Sequence, residues 1–296
     1  MLGLPVAESL IIGILWGSLL VESLVVLHRN QSLLIRDWRG RPRRPGLAGI
    51  QGMNRAVAFL NPLPIGPIHV TSLVPGASCD LEETARVVAK VHQATVWLFM
   101  VTASYAVFLG LITPAAIVFL GPGIAWMPLV AIGTLYHVAT LILFWRGHRQ
   151  LQPEDRVQRW LDTFTMLLFP PAAVRAGERL TRPSLEDFHD LAVSWALGDE
   201  EATRQQAAAA FRQWRYPLPA ERDRSSNPPA CLLAVLAAVD LVPDTILAPP
   251  TREEGSCLCY CPRCHGQYTV LSSECPDCPG VAPVEWPAGP TTPVVD

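Results

Sequence analysis

From Val91 to Trp145 the chain contains no Asp, Glu, Lys or Arg. A helix crosses a hydrocarbon core with about 20 apolar residues. A charge-free run of 55 residues therefore predicts two spans joined by a tight turn, near 94–113 and 125–145. Gly121-Pro122-Gly123 supplies the turn, and Pro114 is expected to end or kink the earlier span. Trp97, Trp126 and Trp145 stand near the span ends, where interfacial aromatics collect.

A further apolar stretch, 5–27, is also long enough to cross. It lacks the basic leader and small-residue cleavage site of a signal peptide. Arg29, Arg36, Arg39, Arg41, Arg43 and Arg44 follow it, with only Asp37 opposing. Arg86 and Lys90 precede the second span, and Arg146 and Arg149 follow the third. The positive-inside rule then predicts a multi-pass protein of the cytoplasmic (inner) membrane, N-terminus outside and C-terminus in the cytoplasm. Arg36, Arg39, Arg41, Arg43 and Arg44 serve as the orientation signal and as contacts to lipid phosphate, in preference to a nucleic-acid arm. Residues 1–149 form the membrane domain, with 28–93 as a cytoplasmic loop. Within that loop 48–60 reads as a short amphipathic piece, and Asn61 to Pro67 is too proline-rich for regular helix. Asp80 is an expected N-cap, with Glu82 and Glu83 in the first turn of a helix that runs on toward the second span.

The rest carries an ordinary charge load and reads as soluble. Residues 150–216 are expected as a small cytoplasmic helical domain. Its first helix, 153–168, lines up Val157, Trp160, Leu161, Phe164, Leu167 and Leu168 on one face. A weaker helix covers 172–180. Another starts in capping-box style at Ser184 and Asp187, with Gly198 as its C′ residue, and Asp199 caps the last. Residues 217–254 form a linker with an apolar helix, 231–247, interrupted by Asp240 and Pro243. The tail 282–296 is proline-containing and expected to be disordered or extended.

Eight cysteines are present, and six fall between Cys257 and Cys278. Cys261-Pro-Arg-Cys264 and Cys275-Pro-Asp-Cys278 are two C-x-x-C turns ten residues apart. Such turns present four thiolates tetrahedrally to one Zn²⁺. Two disulfides are the competing reading, and a reducing compartment disfavours them. Iron in place of zinc is a further alternative. Cys257 and Cys259 are either alternate ligands or thiols beside the site.

The stretch Tyr260-Cys-Pro-Arg-Cys-His-Gly-Gln-Tyr268 … Glu274-Cys-Pro-Asp-Cys-Pro-Gly280-Val281 resembles the zinc-ribbon family with rubredoxin-type knuckles. The resemblance covers only this segment of the 255–281 ribbon. It implies Cys261, Cys264, Cys275 and Cys278 as ligands of one zinc per chain, with Tyr260 and Tyr268 packing a miniature β core. Pro279 stands where the family usually has Gly, so Gly280 is expected to take that role. Members act as structural, protein-binding or nucleic-acid-binding modules, so the family does not select a function.

The expected fold is mainly α: a three-helix multi-pass membrane protein with a cytoplasmic helical domain and a β zinc ribbon. Glu22 and His137 are intramembrane ionisable groups, weighed as a proton or ion pair against a packing hydrogen bond. Glu186, Asp187, His189 and Asp190 are weighed as acid–base or metal chemistry against a solvated helix face. No phosphate loop, nucleophile elbow, dinucleotide fingerprint or H-E-x-x-H occurs, so nothing indicates an enzyme. The preferred function is a membrane-anchored scaffold or adaptor whose ribbon docks protein. The rivals are an accessory subunit of a transport or electron-transfer complex, and a nucleic-acid tether. From 255 to 296 the one base is Arg263, against Glu274, Asp277, Glu285 and Asp296, which disfavours a phosphate backbone.

Overall fold

The charge-free run folds as helix throughout its described length. The computed structural model describes residues 6–22, 24–27, 31–36, 42–43, 57–60, 68–72, 77–120, 122–198, 200–219, 227–252 and 257–286. It is mainly helical and divides into two units, Met1–Leu197 and Gly198–Asp296.

In the first unit, α1 spans Val6–Glu22. α2 (Leu81–Val107) continues through a π-helical turn (Phe108–Ile112) into α3 (Thr113–Leu120), and α4 (Pro122–Leu151) packs along α2. Asp80 caps α2 as expected, its carboxylate accepting the Glu83 N–H at 3.0 Å. Leu81–Phe119 and Trp126–Leu151 are long and apolar enough to cross a membrane. Only 11% of the most apolar window of Trp126–Leu151 is buried. A core helix of a soluble protein would hide such a face.

Pro114 does not end the helix. Proline lacks the N–H that would bond four residues back, and the π-turn absorbs it, with the Thr113 N–H reaching back to Phe108 O. The Gly110 carbonyl, the acceptor that position 114 would otherwise serve, takes the Trp16 indole N–H at 3.0 Å. Gly121 lies outside the described residues.

The expected span 5–27 is not confirmed. α1 has 17 residues, a length of about 26 Å against a hydrocarbon core of about 30 Å. The chain then becomes a strand: β1 (Leu24–Leu27) pairs antiparallel with the later segment Val57–Leu60. Val25 and Val26 are as apolar as helix residues, but their branched Cβ suits a strand. Among the described residues two helices, not three, reach spanning length.

The loop 28–93 also contains structure that its sequence hid. β2 (Gln31–Arg36), β3 (Pro42–Arg43), β4 (Val57–Leu60, the partner of β1) and β5 (Ile68–Ser72) follow, with sheet order β3-β2-β5. Leu33 pairs with Val70 and Ile35 with Ile68. The amphipathic piece 48–60 is described only as β4, and 61–67 lies outside the described residues.

Beyond α4 come α5 (Arg156–Leu168), a 3₁₀ turn (Pro170–Arg175), α6 (Ala176–Leu185) and α7 (Asp190–Ala196). The core joins Leu98, Tyr105 and Phe108 of the long helix to Phe144, Met166 and Leu180. Two glycines permit the closest approaches. A Cβ on Gly147 would stand 2.5 Å from Leu180 Cδ2, and one on Gly177 would stand 2.4 Å from Phe99 Cε1. Ser184 lies in the last turn of α6 rather than opening a helix. His189 caps α7 instead, Nδ1 accepting the Leu191 N–H at 3.3 Å. Gly198, φ +81°, is the expected C′ residue.

The second unit holds α8 (Glu200–Arg215), α9 (Ala230–Ala238), α10 (Pro243–Leu247) and the strands β6 (Cys259–Tyr260), β7 (Gln267–Tyr268) and β8 (Val284–Glu285). Asp199 lies outside the described residues. α9 ends in a Schellman pair, Leu241 N–H to Leu236 O and Asp240 N–H to Ala237 O, with Asp240 at φ +52°. The segment 150–216, expected as one helical domain, is thus shared: α5–α7 belong to the first unit and α8 to the second.

Candidate metal centre

β6 is the middle strand of a three-stranded antiparallel sheet, order β7-β6-β8. Cys259 pairs with both Tyr268 and Glu285. The third strand falls in the segment expected to be an extended tail. It is held by Trp286, whose ring lies 4.9 Å from that of Tyr260 and whose backbone N–H donates to Leu258 O.

The strands present two tight turns. In the first, the His265 N–H bonds Cys261 O at 2.8 Å, the Cys261 N–H bonds Gly266 O at 2.9 Å, and the Gly266 N–H points at Cys264 Sγ at 3.4 Å. His265 takes φ +62°, unusual for a residue with a side chain. In the second, the Cys278 N–H bonds Cys275 O, and Gly280 at φ +82° reverses the chain so that the Cys275 N–H meets Val281 O. Gly280 therefore fills the role expected of it after Pro279.

Together the turns bring the sulfurs of Cys261, Cys264, Cys275 and Cys278 within 4.8 Å of one another, so the four can hold a metal ion. Cys264 Sγ and Cys275 Sγ are 3.8 Å apart. Burial pushes the Cys261 thiol up to about 11 and raises that of Cys278 as well. Burial would raise Cys275 too. It is held below its ordinary value by the Tyr268 hydroxyl 3.1 Å away and the backbone near Asp277. A bound cation would supply the charge that ionises the remaining thiols.

Cys257 and Cys259 lie outside this cluster. Cys259 is fully buried and its thiol lies 3.5 Å from Val270 O, the acceptor. Burial first, then the charges of Glu285 and Cys257, push it up, which keeps it a neutral thiol.

Two features went unseen in the sequence. Tyr268, expected only to pack the core, turns its hydroxyl to Cys275 and to Asp277. Arg263 is buried and donates to the carbonyls of Gln213 at 3.1 Å and Tyr216 at 2.6 Å, closing the C-terminal end of α8. An arginine inside a C-x-x-C turn carries no sign of a partner some fifty residues earlier.

The other candidate residues are dispersed. Glu22 stands 3.9 Å from Arg179. His137 lies against the Tyr105 ring at 6.2 Å, and among the described residues neither of its nitrogens has a hydrogen-bond partner. The Glu22–His137 pair does not form. Asp190 is buried and His189 is a helix cap, whereas Asp187 is exposed and Glu186 half-buried, so only part of this cluster is the solvated face expected of it. Arg36 stands in β2 and Arg43 in β3; Arg39, Arg41 and Arg44 lie outside the described residues.

No protein-family model matches the chain, and no curated protein or solved structure is similar to it. Fold and site define a class: a mainly helical protein with two helices of membrane-spanning length and a C-terminal module whose four cysteines can hold a metal ion.

Proposed function

We propose that the protein is a membrane-anchored scaffold or adaptor, and that residues 257–286 form a cytoplasmic zinc ribbon that docks another protein. The four-sulfur constellation carries this reading. A zinc–thiolate tetrahedron with bonds of about 2.3 Å has edges of about 3.8 Å, the separation found between Cys264 and Cys275. The basic flanks of the spans support a cytoplasmic C-terminus. Protein is favoured over nucleic acid because the module's one arginine is spent inside the fold, on the carbonyls of Gln213 and Tyr216. Its exposed surface instead offers Leu258, Val270, Leu271 and Val284.

The test is purification of the full chain in mild detergent, with zinc quantified and cross-linked neighbours identified. Wild-type protein is expected to carry roughly one zinc and to cross-link a partner through the ribbon. Val270→Asp with Leu271→Asp should abolish the cross-link while zinc is kept. A partner set unchanged by that pair, or full zinc retention in the Cys264→Ser, Cys275→Ser variant, would refute the proposal.

A further inference from the structure

α5 is built inside out. Val157, Trp160, Leu161, Phe164, Leu167 and Leu168 are exposed, while Arg159, Asp162 and Met166 are buried. The inward charges have partners, although Arg159 Nε makes no hydrogen bond among the described residues. Asp162 accepts from Arg179 at 3.2 Å and from Gln158 at 3.1 Å, and the Arg159 guanidinium sits 5.0 Å over the Trp145 ring. A helix facing water would reverse this order. An apolar stripe turned outward beside a spanning helix is the arrangement of a helix lying in the plane of the membrane surface.

Where α5 leaves α4, the two flank a shallow, largely open groove of about 650 Å³. Its floor is Leu141, Ile142, Trp145 and Trp160. Its rim is Arg146, Arg149 and Gln150. The two arginines are three apart on α4 and so share a face; both are exposed, and among the described residues neither has an ion pair. Of the two acids that follow in sequence, Glu154 and Asp155, the second is committed to the α5 N-cap through the Gln158 N–H, and among the described residues neither forms an ion pair with these arginines.

We propose that this groove holds one anionic phospholipid, its phosphate between Arg146 and Arg149 and an acyl chain along Ile142 and Trp160. The floor is continuous with the outward apolar face of α4, and the rim is complementary to a phosphodiester. This rests on the membrane reading above, and the experiment separates the two.

The full chain is placed in phosphatidylcholine nanodiscs doped with phosphatidylglycerol or phosphatidylcholine brominated on the acyl chain, and tryptophan quenching is measured. Brominated phosphatidylglycerol should quench at lower mole fraction. The preference is about fivefold per arginine near an anionic headgroup, so on the order of 25-fold for the pair. Trp160→Phe should remove part of the quenchable emission. Arg146→Gln with Arg149→Gln should abolish the preference, and the paired Lys variants should keep most of it. Free inorganic phosphate should not compete. Equal quenching by the two lipids, or a preference that survives the Gln pair, overturns the lipid site. Release of the protein from membranes by alkaline carbonate would instead overturn the membrane reading.

Discussion

Gly280 shows how much one residue decides in the ribbon. It sits at φ +82°, where an L side chain costs about 1–2 kcal/mol, and an added Cβ would stand 2.5 Å from Pro219 Cγ. Gly280→Ala should therefore speed zinc loss to a chelator and lower the ribbon's melting temperature, whereas Ala at exposed Glu274 should do neither. Arg263→Ala makes a different cut. It strips the charged donor from two carbonyls at the end of α8, a loss of roughly 1.5–3 kcal/mol for such hydrogen bonds, yet it touches no sulfur. The melting temperature should fall while bound zinc per chain stays the same. The cluster of four cysteines was legible in the sequence because C-x-x-C spacing is local chemistry. The duties of Arg263 and Tyr268 were not, because both depend on contacts that only folding creates.

Among the elements, the π-turn and α1 depend on each other. Pro114 leaves the Gly110 carbonyl without its helical donor, and Trp16 supplies one. Trp16→Phe should cost about 1–3 kcal/mol for the stranded carbonyl, read as a drop in thermal stability in detergent. In a Pro114→Ala background the helix regains its own N–H, so the same substitution should cost much less. Equal costs in both backgrounds would show that the indole does not serve that carbonyl. The long helices were readable because an uncharged run leaves few alternatives. The break after Glu22 was not, since hydropathy is blind to whether Val25 and Val26 extend a helix or pair with Phe59 and Ala58. The stripe on α5 was found correctly, but periodicity says only that a face exists, not whether it turns toward the core or toward lipid.

For the whole molecule, the two units should respond separately to metal removal. Structural zinc contributes on the order of 10 kcal/mol in small modules, more than three two-residue strands supply alone. A strong chelator should expose residues 257–286 to rapid hydrogen exchange while α2 and α4 stay protected. Loss of protection in α2 would mean the units fold as one. The proposed orientation is checked by a cysteine placed at Ala220: an impermeant maleimide should label it only after the cells are opened.

The glycine at 147 has a consequence for a second position. Leu180 Cδ2 fills the space a methyl would need, at 2.5 Å, with the Ala94 carbonyl close behind at 3.3 Å. Leu180 is fully buried, so its methyl can move only by displacing core neighbours, and the carbonyl belongs to a helix backbone. The two positions are thus coupled: Gly147→Ala should cost less stability in a Leu180→Ala background than in the wild type.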